Sequence, residues 1–132
     1  MIYLADTHVI LWWAHGDRRL PKSHARVFQR ARADSPVLVS DISLWEIAML
    51  VEQERVRLDR PLRDWLETAT AAPLVQRVGV APAVAAETAR LPSTFHRDPA
   101  DRILVATARV HGATLLTVDQ RIIGAAIVPT LA

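Results

Sequence analysis

Four acidic residues stand at the margins of apolar runs. Asp6 closes Ile2-Tyr3-Leu4-Ala5, and Glu46 interrupts Leu44 to Val51. Asp101 opens onto Ile103-Leu104-Val105-Ala106, and Asp119 closes Thr114 to Val118. A carboxylate drawn into apolar surroundings is costly unless a partner compensates it. Four brought together would repel one another and call for a cation. Hard oxygen ligands in a chain without cysteine suit Mg²⁺ or Mn²⁺. An ion held this way activates water and neutralises charge on a phosphodiester, while a carboxylate positions or deprotonates the water.

Each acid also has a local role available to it. Asp6 and Asp119 are good helix N-caps. Asp98-Pro99-Ala100-Asp101 reads as a helix start, with Asp98 as cap, Pro99 at the first position and Asp101 in the first turn. Ser43-Leu44-Trp45-Glu46 matches a capping box. Caps would point to four separate helix ends, whereas a metal centre needs all four acids at one sheet edge. Glu46, set among apolar neighbours, fits the capping role least well. Asp98 and Asp101 lie near one helical face, and Asp101, adjoining the apolar core, is the one expected to point into a site. Thr7 and Thr117 adjoin Asp6 and Asp119, where their hydroxyls would orient ligands or water, or simply cap. His96 and Arg97 would touch substrate phosphate or be plain loop residues. Arg102 would pair with a site carboxylate or a phosphate, or face solvent beside Asp98.

The elements that must position these residues alternate. Short apolar strands are expected over residues 1–5, 37–39, 74–80 and 114–118, with a last one at 126–128. Helices are expected at 8–14, 21–33, 42–54, 61–71 (with Pro61 first), 82–90 and 99–111, and a helical turn at 119–123. The alternation predicts an α/β fold with a four- to five-stranded parallel sheet and helices on both faces. In such sheets, sites form beyond the carboxyl ends of the strands, where Asp6 and Asp119 fall. Residues 91–97 read as an exposed loop.

The 132 residues suit a single domain, 1–132, with a real core. No apolar run approaches the roughly 20 residues that span a bilayer, and no basic leader precedes the first run, so neither membrane span nor signal peptide is expected. The lack of cysteine excludes disulfides and thiolate sites and fits the cytoplasm. The basic residues are 15 Arg and one Lys, a bias that suits phosphate contact. Dinucleotide and Walker-type loops, the Gly-x-Ser-x-Gly elbow and zinc-like histidine spacing are all missing. Trp12, Trp13, Trp45 and Trp65 fall on predicted helices and read as packing residues rather than base-stacking platforms.

The order of the motifs resembles the PIN-domain nucleases, especially the VapC-like toxins of toxin–antitoxin pairs. The resemblance is carried by Ile2-Tyr3-Leu4-Ala5-Asp6-Thr7-His8, Ser40 to Ile47, His96 to Ala108 and Leu115-Leu116-Thr117-Val118-Asp119, so it spans essentially the whole chain. It implies a PIN-like three-layer α/β/α fold. It also implies that Asp6, Glu46, Asp101 and Asp119 bind Mg²⁺ or Mn²⁺ and catalyse endonucleolytic cleavage of RNA, with Asp98 auxiliary. By the same resemblance the partners would be a cognate antitoxin and a second copy in a homodimer. The residues alone leave two other readings open: an RNA- or protein-binding module with a degenerate, non-cleaving acidic site, and a phosphatase. The second lacks its Asp-x-Asp pair, because position 8 is His.

Overall fold

The computed structural model describes residues 1–132. Five parallel strands form one sheet: β1 (Tyr3–Ala5), β2 (Val37–Ser40), β3 (Val75–Val78), β4 (Thr114–Leu116) and β5 (Thr130–Leu131), in the order β3-β2-β1-β4-β5. Helices α1 (Thr7–His15) and α2 (Lys22–Arg30) join β1 to β2, and α3 (Asp41–Glu52) and α4 (Leu62–Ala69) join β2 to β3. Then α5 (Pro82–Thr88) and α6 (Pro99–His111) lead to β4, and α7 (Gln120–Ala125) leads to β5.

The strands are apolar on both sides because both faces are covered. Leu4 lies in register with Leu38 and Leu115, and this row packs under Leu104, Val105 and Ala108 of α6 and Ile122 of α7. Ala5 aligns with Val39 and Leu116, and that row faces α1 to α4 through Val9, Ile10, Phe28, Ile47, Leu50 and Trp65. Alternate residues of each strand thus feed two cores, giving the expected three layers. β1 is central; the chain leaves it towards β2 on one side and leaves β4 towards β5 on the other. Their carboxyl ends therefore diverge and open a crevice.

Several boundaries differ from the sequence expectation. β3 covers only 75–78, because its single neighbour β2 offers four partners. The last strand is not at 126–128: Ala126 adopts φ 52° and caps α7, Val128 turns into the core, and pairing begins at Thr130. Helix α2 stops at Arg30 because Ala31 is extended. Pro61 is the N-cap of α4 rather than its first helical residue. Residues 91–97 are an anchored loop, since Leu91 and Phe95 are buried in the α6-side core. Trp65 is buried and Trp13 stacks on Phe28, but Trp45 is 51% exposed. No helix is long and apolar enough to cross a membrane.

Candidate active site

The crevice beyond β1 and β4 is a cleft of about 300 Å³ lined by Asp6, Glu46, Asp98, Asp101 and Asp119, together with His8, Trp12 and Arg121. All four acids singled out from the sequence meet here, although they come from four elements. Asp6 follows β1 and caps α1, accepting from Thr7 N at 2.7 Å. Asp119 follows β4 and caps α7 through Arg121 N. Capping and site roles therefore coincide at these two positions.

Glu46 sits one turn into α3. The capping box does not form, because Ser40 is the cap and accepts from Ile42 N. Glu46 instead accepts from the buried Thr7 hydroxyl, which lies 3.0 Å from the Ser43 hydroxyl and accepts from it. On α6, Asp98 caps through the Asp101 N–H and Pro99 follows as the first helical residue. Asp101 is buried, and its Oδ2 lies 2.7 Å from His96 Nε2 and 3.4 Å from Arg121 Nη2. Thr117 Oγ1 donates to Asp6 Oδ2 at 2.7 Å.

Burial pushes the carboxyls of Asp6, Glu46 and Asp101 up, and repulsion from neighbouring carboxylates, Asp98 and Asp119 in the case of Asp101, adds to it. Burial acts the same way on Asp119, but hydrogen bonds from Arg121 outweigh it and hold that carboxyl below its ordinary value. The Thr7 and Thr117 hydroxyls thus both bond to carboxylates of the cleft. Arg102 does not. Its guanidinium donates to the carbonyls of Phe95, His96 and Thr88, so it ties the loop before α6 together and pairs with no carboxylate.

Arg121 was not anticipated. Nη2 lies 3.1 Å from Asp119 Oδ2 as well as near Asp101. Its only sequence signal is its place two residues after Asp119. His96, on the loop before α6, faces the Asp101 carboxylate. The donor set is all carboxylate oxygen, which fits Mg²⁺ or Mn²⁺. Glu46 uses only Oε1 towards Thr7, and Asp101 only Oδ2 towards His96 and Arg121, so one oxygen of each remains for a cation. In this arrangement no three acidic or histidine side chains stand close enough together to hold an ion.

A second cleft of about 220 Å³ shares His8 and Trp12 with the first and continues past His15, Arg19, Arg55 and Arg57. The Arg19 guanidinium lies 5.5 Å from the Trp12 ring centroid. Arg19 pairs with Asp17, but neither Arg55 nor Arg57 pairs with any carboxylate.

Residues 3–127 match the family model of the PIN domain. The chain belongs to the PIN-domain family. Ribonuclease VapC22 of Mycobacterium tuberculosis strain H37Rv is 41% identical over 119 residues, covering 90% of this chain and 88% of that protein. Among solved structures, VapBC2 from Rickettsia felis bound to a promoter DNA fragment aligns with a TM-score of 0.74 at 14% identity, covering 99% of this chain and 98% of that one. A toxin–antitoxin complex from Klebsiella pneumoniae aligns with a TM-score of 0.66 at 14% identity, covering 98% and 96%. At those identities the structures establish the fold: this PIN domain has the parallel five-stranded α/β architecture that the motif order implies.

Proposed function

We propose that this PIN domain is a divalent-metal-dependent endoribonuclease that hydrolyses RNA phosphodiester bonds and acts as the toxin of a toxin–antitoxin pair. The observation that carries the reading is the convergence of Asp6, Glu46, Asp101 and Asp119 in one cleft at the carboxyl edge of the sheet. The 41% identity to a protein named a ribonuclease supports it.

Asp6, Glu46 and Asp101 would hold Mg²⁺ or Mn²⁺, with Asp119 completing the acidic set. When bound, such an ion supplies Lewis acidity to phosphoryl oxygens and acidifies water. Asp6 is oriented for this by Thr7 N and Thr117 Oγ1. Glu46, fixed through Oε1 by Thr7, keeps Oε2 turned to the ion and so to the water the ion acidifies. The adjoining cleft suits a single strand, because Arg55 and Arg57 are free to meet phosphates. A cognate antitoxin, the cytoplasm as location and a homodimer belong to the same reading, the last supported by exposed Trp45 on α3.

The test is cleavage of RNA with Mn²⁺ or Mg²⁺, with EDTA and Asp6→Asn as controls. Cleavage that survives both controls sinks the proposal. One observation favours the non-cleaving binding module: two of the acids, Asp101 and Asp119, already have Arg121 or His96 as partners. Tight RNA binding with no calorimetric Mn²⁺ binding would select that reading.

A further inference from the structure

Arg121 is the one cation whose guanidinium reaches two of the four site carboxylates, 3.1 Å from Asp119 Oδ2 and 3.4 Å from Asp101 Oδ2. Its backbone is rooted there, since Arg121 N donates to Asp119 Oδ1 at 2.9 Å. Its side chain is not: 62% of it is exposed, so it leans over the rim of the acidic cleft without being packed in. Arg121 also lines a neighbouring cleft with Thr94, Phe95, His96 and Ile127. A guanidinium here has somewhere else to go, and leaving its present position uncovers little apolar surface.

Asp101 and Asp119 belong to the acidic set a divalent ion would use, and the Arg121 guanidinium already stands against both. Two cations cannot occupy one such position, because their repulsion at close range in a partly buried cleft is large. Binding of the ion is then an exchange rather than a simple addition. Without any cation, the buried carboxylates would repel one another and weaken the fold.

We propose that Arg121 is a built-in counter-ion of the acidic centre, which holds Asp101 and Asp119 together until a divalent ion displaces it towards the neighbouring cleft. The proposal rests on the metal-centre reading above. It makes Arg121 a positioning residue that lowers the apparent affinity for the ion while protecting the ion-free fold.

The experiment is calorimetric titration of Mn²⁺ into the whole chain without RNA, comparing the natural protein with Arg121→Gln and with Arg26→Gln. Arg26 is an exposed cation on α2 that lines a different cleft, so its loss makes the same change in net charge. Arg121→Gln is expected to bind Mn²⁺ about fivefold or more tightly, the lower range of a site-to-site coupling. Arg26→Gln should change little. In parallel, Arg121→Gln should melt below the natural protein in EDTA, and the gap should close at saturating Mn²⁺. A merely structural arginine would leave that gap unchanged. Equal or weaker Mn²⁺ binding by Arg121→Gln, an equal gain in Arg26→Gln, or a gap that persists in Mn²⁺ overturns the inference alone. Absence of Mn²⁺ binding by every protein overturns the metal-centre reading and the inference with it.

Discussion

The Thr117 hydroxyl donates to Asp6 Oδ2 at 2.7 Å while accepting from Asp119 N at 3.1 Å. One buried side chain thus joins the end of β4 to the end of β1 and sets the turn that carries Asp119. Thr117→Val keeps the shape but leaves an Asp6 oxygen and an amide without partners. The expected cost is about 1–3 kcal/mol in urea unfolding. Burial already pushes the Asp6 carboxyl up, and the Thr117 bond opposes that, so the variant's carboxyl moves further up. The acid limb of the cleavage profile should shift to higher pH. A valine variant with unaltered stability and profile would contradict the assignment.

Arg102 bonds only to backbone carbonyls of the segment that presents His96. Arg102→Gln should therefore cost about 1–3 kcal/mol of stability. It should leave the salt dependence of RNA binding unchanged, because no phosphate contact is removed. A flatter salt dependence with full stability would instead make Arg102 a phosphate ligand.

The contrast between Arg102 and Arg121 marks how far the sequence reaches. Asp6 and Asp119 were legible because short strands buried on both faces end in a carboxylate, and parallel topology gathers such ends at one edge. Glu46 and Asp101 were legible because each interrupts or adjoins an apolar run. Side-chain partners were not. Whether Glu46 caps its helix or meets Thr7 depends on α3 starting at Asp41, two residues before Ser43. Whether an arginine faces a carboxylate or a carbonyl depends on how the loop before α6 and the first turn of α7 sit against each other. That is set by packing around Leu91, Phe95 and Ile122, not by spacing.

His24 is wholly buried, with Nε2 at 2.6 Å from the Leu131 carbonyl. A carbonyl only accepts, so Nε2 carries the proton, and Nδ1 is left buried with no partner. Burial lowers its readiness to protonate from the ordinary 6.5. The unfolded chain therefore binds a proton that the folded chain refuses, and stability must fall as pH drops below about 6.5. His24→Gln can still donate to Leu131 and does not titrate. Chemical unfolding from about pH 7 to about pH 5 should show the natural protein losing stability relative to this variant; parallel curves would refute the account.

Arg55 and Arg57 border the cleft that continues from Trp12. If a single RNA strand lies there, replacing both by Gln should reduce the salt slope of log K by about 1.4, two contacts at roughly 0.7 each. Fluorescence anisotropy with an RNA oligonucleotide in EDTA measures this apart from cleavage. An unchanged slope would move the strand elsewhere on the surface.

The crevice between β1 and β4 has a consequence for synthesis. Asp6 and Glu46 leave the ribosome first, and Asp101 and Asp119 follow only after more than fifty further residues have been made. A growing or prematurely ended polypeptide thus holds half of the acidic set and none of the β4 strand that locks Asp6 in place. Whatever chemistry the cleft performs is withheld until Asp119 has been added, and damage that frays the central pair of strands switches it off again.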